Sequence, residues 1–281
     1  MKALESEVLI VGGGIVGTTT AFFLRRRGQS VRLLERGLTG QQASGVNFGG
    51  IRRQGRALAQ LPLANRALTT WRHAAEWLGE DSAGRIYRSA QLVICAGAWA
   101  NRLSSQFGEP VPLESRGPQM AVTEPVPYVF HSSMGVFTSV KAESVYFRQI
   151  PRGNLILGGG PHGPASIETN RARVAPLNTV RQMAQFRRLV PGLAPLHVIR
   201  TWSGVEGYLP DAEPVIGPSR AVDGLFYGFG FSGSGFQIGP GVGETLAELI
   251  STGKTAIALD KFSIGRFGAN AAAKQEKAGA T

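Results

Sequence analysis

The chain has 281 residues, 43% of them hydrophobic, which suffices for a packed core in one large domain or two interleaved ones. Its net charge is +11, from 24 Arg and six Lys against 19 acids, yet apart from Arg25-Arg26-Arg27 the basic residues are scattered; Arg-rich usage explains the charge without a specific nucleic-acid partner. The single cysteine, Cys95, excludes an internal disulfide framework and points to a reducing compartment, the cytoplasm.

The first apolar run, Val8–Leu24, is 17 residues long, carries four Gly and three consecutive Thr, and follows Glu5 and Glu7. It is too short for a membrane span and has the wrong flank for a signal peptide. It reads instead as a buried strand over Glu7–Val11, a turn over Gly12–Gly17, and a helix over Ile15–Arg27 that ends at Gly28. Ser30–Glu35 alternates as a second strand and completes a βαβ half-unit. Thr39–Gly50 is a polar, Gly-rich loop. Leu58–Leu78 has helical spacing interrupted at Pro62, and Gln91–Ala96 is a short apolar strand followed by Gly97-Ala98-Trp99. From Met120 to Gly160 the signals are strands: MAVTE, GVFTS, SVYFRQI and NLILGGG. Thr179–Leu189 predicts a short helix, Gly224–Phe231 a strand, and Gly241–Ser251 a helix ending at Gly253. Gly268–Thr281 is small and polar, as in a disordered tail. A β-rich stretch between α/β segments implies two domains that the chain enters more than once.

Three motifs carry chemistry. Gly12, Gly14 and Gly17 fit G-x-G-x-x-G between a strand and a helix, with Ile15 and Val16 opening that helix. Gly12 allows the tight turn, Gly14 lets the backbone approach a pyrophosphate, and Gly17 lets helix and strand pack closely. The pattern alone is weak; Glu35 at the end of the second strand strengthens it, because a carboxylate there takes both ribose hydroxyls and repels a 2′-phosphate. FAD therefore fits better than NADP. Ala43–Arg52 places small residues and backbone N–H groups in a long loop that could wrap a pyrophosphate and a flat ring, or be a plain flexible loop. Gly230–Phe236 precedes a helix whose positive end could face a flavin carbonyl, or is a Gly-rich connection.

VGGGIVG, SGVNFGGIRRQGR, VICAGAWA, YFRQ, RTWSGVEGYLPDAEPVIGP and GFSGSGF stand in one order between Val8 and Phe267. With them the chain resembles the D-amino-acid oxidase superfamily of FAD-dependent amine oxidoreductases, and within it the sarcosine oxidase β-subunit and the opine or hydroxyproline dehydrogenase branch. The resemblance implies an α/β chain, α+β overall. A Rossmann-like FAD-binding domain is assembled from residues 1–50, 82–110 and 205–267. An interleaved, mostly antiparallel β substrate domain comprises residues 51–81 and 111–204. It also implies which residues meet FAD: Gly12, Gly14, Ile15, Val16, Gly17, Glu35, Arg36, Ser44, Asn47, Gly49, Gly50, Ile51, Ala96, Gly97, Trp99, Gly204, Gly233, Ser234, Gly235, Phe236 and Gln237. Arg52, Tyr146 and Arg148 are the candidates for substrate contact. The implied reaction is oxidation of an amine or amino acid by hydride transfer to the flavin, with other subunits of a multi-subunit dehydrogenase as candidate partners.

Three departures from the family pattern matter. Ser234 stands where the family often has His. Glu206 stands where amino-acid oxidases of the superfamily often carry an Arg that holds the substrate carboxylate, so Arg52, Arg148 or Arg200 would have to replace it. After Asp81 the chain passes almost at once to QLVICAGAWA, so a block of about 100 residues, the size of a small domain, is missing. That leaves a second possibility, a catalytically silent remnant or binding subunit. Cys95 reads as a buried structural thiol, and His73, His131, His162 and His197 show no ligand spacing, so no metal is expected. Tyr146 and Arg148 share one strand face, which suits a substrate wall and a cross-strand structural pair equally. Trp99 and Trp202 also suit core or domain-interface positions.

Overall fold

The computed structural model of the protein describes residues 4–49, 57–71 and 87–268. Its elements are β1 (Leu4–Val11), α1 (Ile15–Arg26), β2 (Val31–Leu34), α2 (Ala43–Val46), α3 (Leu61–Trp71), β3 (Tyr87–Ile94), α4 (Ala100–Ser104), β4 (Glu114–Arg116), β5 (Gln119–Pro125), β6 (Met134–Val136), β7 (Val145–Gln149), β8 (Asn154–Gly159), β9 (Ala165–Ser166), β10 (Arg171–Ala172), α5 (Pro176–Leu189), β11 (Val198–Ser203), β12 (Glu206–Tyr208), β13 (Val215–Pro218), β14 (Leu225–Phe229) and α6 (Gly235–Thr252). They form two compact units: residues 1–44, 51–114 and 207–281, and residues 45–50 and 115–206. The mixed α/β class expected from the sequence is found, with a mostly parallel sheet in the first unit and an antiparallel one in the second.

In the first unit the sheet order is β13-β14-β3-β1-β2. β14, β3, β1 and β2 run parallel, and β13 joins β14 antiparallel. Parallel strands covered on both faces need apolar residues throughout. Val8, Ile10 and Val93 are fully buried, with Val16, Leu24, Ile238, Val242 and Leu246 packed in the same core. Ile94, Ala100, Leu209, Tyr227 and Phe229 form a second core of this unit. β2 is the sheet's last strand among the described residues, and none of its four residues is buried.

Three helices begin differently from the sequence expectation, α5 among them at Pro176 rather than Thr179. α6 starts at Gly235, not Gly241, and carries Pro240 inside. An interior proline removes an N–H and crowds the carbonyl one turn back, so local propensity argues for a start after it. Packing overrides that: a Cβ on Gly243 would lie 2.1 Å from Thr19 Oγ1, and one on Gly241 2.2 Å from Leu63 O. Glycines thus let α6 nest against α1 and α3, and the buried face holds the helix together. Pro62, expected to interrupt a helix, is the second residue of α3, where the helix leaves N–H groups unpaired anyway. α3 belongs to the first unit, whereas the division drawn from the sequence put residues 51–81 with the β-rich part.

The second unit holds the sheet β11-β5-β8-β7-β6. Neighbouring strands pair antiparallel. Ala121, Phe147, Leu155, Leu157, Met183, Phe186 and Leu196 form its core, with Phe186 of α5 set edge-on to Phe147 at 5.0 Å. β6 is shorter than the GVFTS stretch, because the Thr138 amide leaves the ladder to donate to Ser144 Oγ. Among the described residues no helix is long and apolar enough to cross a membrane.

Candidate active site

The G-x-G-x-x-G turn of the first unit is built by close approach. Gly12 sits at φ +115, its amide donates to Leu34 O at 2.8 Å, and a Cβ there would fall 2.4 Å from Cys95 O. A Cβ on Gly17 would fall 1.9 Å from Gly12 O, so only glycine permits this strand-to-helix spacing. Gly14 caps α1, and the Ile15 amide donates to Ser44 Oγ at 2.9 Å. The first turn of α1, which includes Ile15 and Val16, carries no acidic residue. Its leading N–H groups lack intrahelical acceptors and carry the positive end of the helix dipole, a combination that binds phosphate.

Glu35 lies beside this turn. Its Oε2 accepts the Gly13 amide at 2.7 Å and its Oε1 the Gly37 amide at 3.0 Å. A carboxylate has about four acceptor positions, so two remain for ribose hydroxyls. The Gly40 amide donates to Gly13 O at 2.9 Å and ties the following loop to the turn. The Arg36 guanidinium lies 4.2 Å from the Trp99 ring centroid, a cation–π contact. Trp99 is set by the turn through Ala96 and Gly97, in which Gly97 has φ +53 and the Trp99 amide donates to Ala96 O at 3.0 Å. Cys95 is buried, and desolvation pushes its thiol up to about 12, so it serves as packing.

After β14 the chain takes positive φ at Gly230, Ser232 and Gly233. Ser232 holds this disfavoured conformation through two bonds: its amide donates to Gly207 O at 3.1 Å, and its hydroxyl accepts the Leu209 amide at 3.1 Å. The Ser234 hydroxyl donates to Phe231 O at 2.6 Å and so engages its own turn. Gly235, Phe236 and Gln237 open α6, and Gln237 Nε2 donates to Ala64 O on α3 at 3.2 Å.

In the second unit Tyr146 and Arg148 occupy the half-buried face of β7, while Val145, Phe147 and Gln149 are buried on the other. That face meets the loop at residues 46–49. Arg148 Nε donates to Phe48 O at 2.7 Å, and its guanidinium stands 5.5 Å from the Phe48 ring centroid. Phe48 sits edge-on to Tyr146 at 4.7 Å. Trp202 Nε1 donates to Val46 O at 2.8 Å, and a Cβ on Gly204 would fall 1.9 Å from Val46 Cγ2. Asn47 Oδ1 accepts the Gly49 amide at 2.6 Å. Burial lowers the basicity of Arg148. Arg200 is exposed on β11, and Glu206 is partly buried on β12. Gly50, Ile51, Arg52 and His73 lie outside the described residues. Among the described residues no group of His, Cys, Asp and Glu could hold a metal. Sequence reasoning missed the loop fixings by Trp202 and Arg148, since a bond to a main-chain carbonyl leaves no mark in residue type at its acceptor.

Residues 7–87 and 75–249 match the family described as FAD dependent oxidoreductase. The chain belongs to that family. It is 26% identical over 190 residues to the sarcosine oxidase subunit beta of Rhodobacter capsulatus, covering 68% of this chain and 44% of that protein. It is 27% identical over 187 residues to the glycine oxidase of Geobacillus kaustophilus, covering 66% of this chain and 47% of that protein. The chain thus spans just under half the length of these curated relatives. Its fold is that of L-proline dehydrogenase from P. horikoshii, at a TM-score of 0.83 and 21% identity, covering 95% of this chain and 98% of that one. The family cofactor is FAD, and the first unit's residues fit it. The turn at Gly12, Gly14 and Gly17 is a cradle that a Cβ would fill, and Glu35 keeps acceptor capacity for a ribose.

Proposed function

We propose that the chain is an FAD-dependent oxidoreductase that oxidises the C–N bond of an amino acid or N-substituted amine of the sarcosine, opine or hydroxyproline kind. The observation that carries this is the Gly12–Gly17 turn with Glu35 fixed beside it, a nucleotide cradle on a chain whose family is defined by FAD-dependent oxidation. The chemistry that FAD supplies when bound is acceptance of a hydride from the carbon next to nitrogen. The chain's residues bind and orient. Gly12, Gly14, Ile15, Val16 and Gly17 hold the pyrophosphate, and Glu35 the ribose, with Arg36 and Trp99 beside it. Ser44, Asn47 and Gly49 are assigned to the flavin's lining and Gly233–Gln237 to its pyrimidine end; Gly50 and Ile51, outside the described residues, join the lining from the resemblance alone. Tyr146 and Arg148 are assigned to the substrate side, and Arg52, outside the described residues, is assigned there from the resemblance alone. No general base is assigned, because an amine that arrives neutral needs none. The single cysteine supports a cytoplasmic setting, and the subunit name of the R. capsulatus relative supports a multi-subunit assembly.

The test is an anaerobic screen of N-substituted and cyclic amino acids against the FAD-loaded chain, following bleaching of the flavin band at about 450 nm. Bleaching by one of these amines is the expected result; a loaded chain that no amine reduces would refute the proposal. The share of the relatives covered, 44% and 47%, favours one other reading, a binding subunit without its own turnover. A purified chain that is colourless and takes up no FAD would favour it.

A further inference from the structure

We propose that Arg148 is a positioning residue for the loop at residues 46–49: it fixes the main chain of Phe48, with Trp202 fixing Val46, and so sets the wall this loop presents to the flavin. This rests on the assignment of the loop to the flavin made above. Among the described residues, the loop at 46–49 joins no strand ladder. Its main chain is held by Arg148 Nε on Phe48 O at 2.7 Å and Trp202 Nε1 on Val46 O at 2.8 Å, beside the local Gly49-to-Asn47 bond at 2.6 Å. Gly49 takes φ +71, and a Cβ there would fall 2.8 Å from Arg148 Nη2, so the guanidinium edge and the loop are fitted to each other. Phe48 is further gripped by Tyr146 edge-on and by the cation face of Arg148. The same segment begins two residues earlier at Ser44, whose hydroxyl accepts the Ile15 amide at the start of α1. Ser44 is thus held within the first unit, and residues 46–49 are held within the second by their own bonds. Among the described residues no carboxylate pairs with Arg148, and a charge-assisted bond to a carbonyl is a strong fixing for a group half out of water.

The chemistry of replacement separates this role from substrate binding. Gln places its amide nitrogen at the same bond count from Cα as Arg Nε and keeps the donor to Phe48 O. Lys keeps the charge but has a methylene at that position, and Met keeps only the shape. The full-length apoprotein and its Arg148→Gln, Arg148→Lys and Arg148→Met variants are titrated with FAD, and the visible spectrum of the bound flavin is recorded. The expected order is wild type and Gln together, with Lys and Met weaker by about tenfold, the size of one hydrogen bond with a charged partner, and with a displaced flavin band. Gly49→Ala should reproduce the Met variant and add nothing to it in the double variant, which keeps the test open should Met not fold. FAD affinity and spectrum unchanged in all variants, with the amine KM near wild type in Lys and raised in Gln and Met, would overturn the inference in favour of a substrate anchor and leave the FAD reading standing. A wild-type chain that takes up no FAD at saturation would overturn the reading and this inference with it.

Discussion

The Gly13 amide donates to the Glu35 carboxylate at 2.7 Å, which joins the phosphate turn to the end of β2. The bond makes Glu35 a strut of the turn, and the proposed function gives its remaining acceptor capacity to the cofactor's ribose. Replacing it by Ala should weaken FAD binding by about 10- to 100-fold, since a charged acceptor contributes about 1.5–3 kcal/mol per bond. The fold should survive, because Glu35 is partly exposed and stands outside the apolar core. An FAD titration with a thermal melt checks both points. The native chain should prefer FAD to NADP, and NADP extracted from it would refute the assignment.

Gly17→Ala tests the strand-to-helix spacing directly. The added methyl would stand 1.9 Å from a backbone oxygen, so α1 must move away from Gly12. Overpacking of this kind destabilises by about 1–3 kcal/mol, or roughly 5 °C in Tm for a chain of this size. FAD affinity should fall together with Tm. An unchanged Tm would mean that the helix is free to shift.

Much of this was legible in the sequence for physical reasons. β1, the glycine turn, α1 and Glu35 follow from a local pattern whose parts depend on one another within about thirty residues. The strands at residues 119–125, 145–149 and 154–159 follow from apolar alternation between turn residues. What escaped depends on distant partners. Pro240 hid the start of α6 because Thr19 and Leu63, far away in sequence, make its glycine face pack. The grip of Arg148 and Trp202 on the 46–49 loop links residues 100 and 156 positions apart, which no window on one sequence can show.

Cys95 gives a pH test. Its folded thiol is raised from 9.0 to about 12 by burial, so the folded state keeps a proton that the unfolded chain loses. The neutral thiol's contribution is fully present below pH 9 and is lost as pH rises from about 9 toward 12, by on the order of 4 kcal/mol. Cys95→Ala should therefore show a shallower alkaline loss of stability than the native chain in denaturant melts across that window. Parallel slopes would mean that the thiol ionises freely in the fold. Thiol reagents should also leave native Cys95 unmodified near pH 8.

Glu206 bears on substrate choice. The family resemblance implies an Arg at this position, and a carboxylate there is expected to repel a substrate carboxylate instead of holding it. With FAD bound, the chain should turn over N-alkyl or cyclic amino acids faster than D-alanine. Glu206→Arg should shift the ratio of kcat/KM values toward simple carboxylate substrates by roughly tenfold or more, the size of one charge-pair contribution. D-alanine turned over as fast as any N-alkyl amino acid by the native chain would refute this role.

The prediction most exposed to failure concerns cofactor retention. Parallel strands are normally covered on both faces and flanked on both edges. Here β2 pairs only with β1 among the described residues, and Val31, Arg32, Leu33 and Leu34 are all partly exposed. This is the edge beside Glu35, where a dinucleotide's adenosine half would lie once the Gly12–Gly17 turn holds its pyrophosphate. The family resemblance implies a shortening after Asp81, and chain lost there is expected to leave this edge less covered; the chain matches 44% and 47% of the lengths of the R. capsulatus and G. kaustophilus relatives. The pyrophosphate and ribose contacts remain, so FAD should still bind, but on the order of micromolar rather than nanomolar, a loss of about 4 kcal/mol. The chain expressed alone should then carry well under one flavin per protein after gel filtration, and added FAD should raise Tm only modestly at a few times Kd. The measurements are the flavin-to-protein ratio and melts with and without FAD. A near-stoichiometric flavin that survives gel filtration, with stabilisation of about 3–4 kcal/mol or more on adding FAD, would show that the exposed edge does not weaken the site.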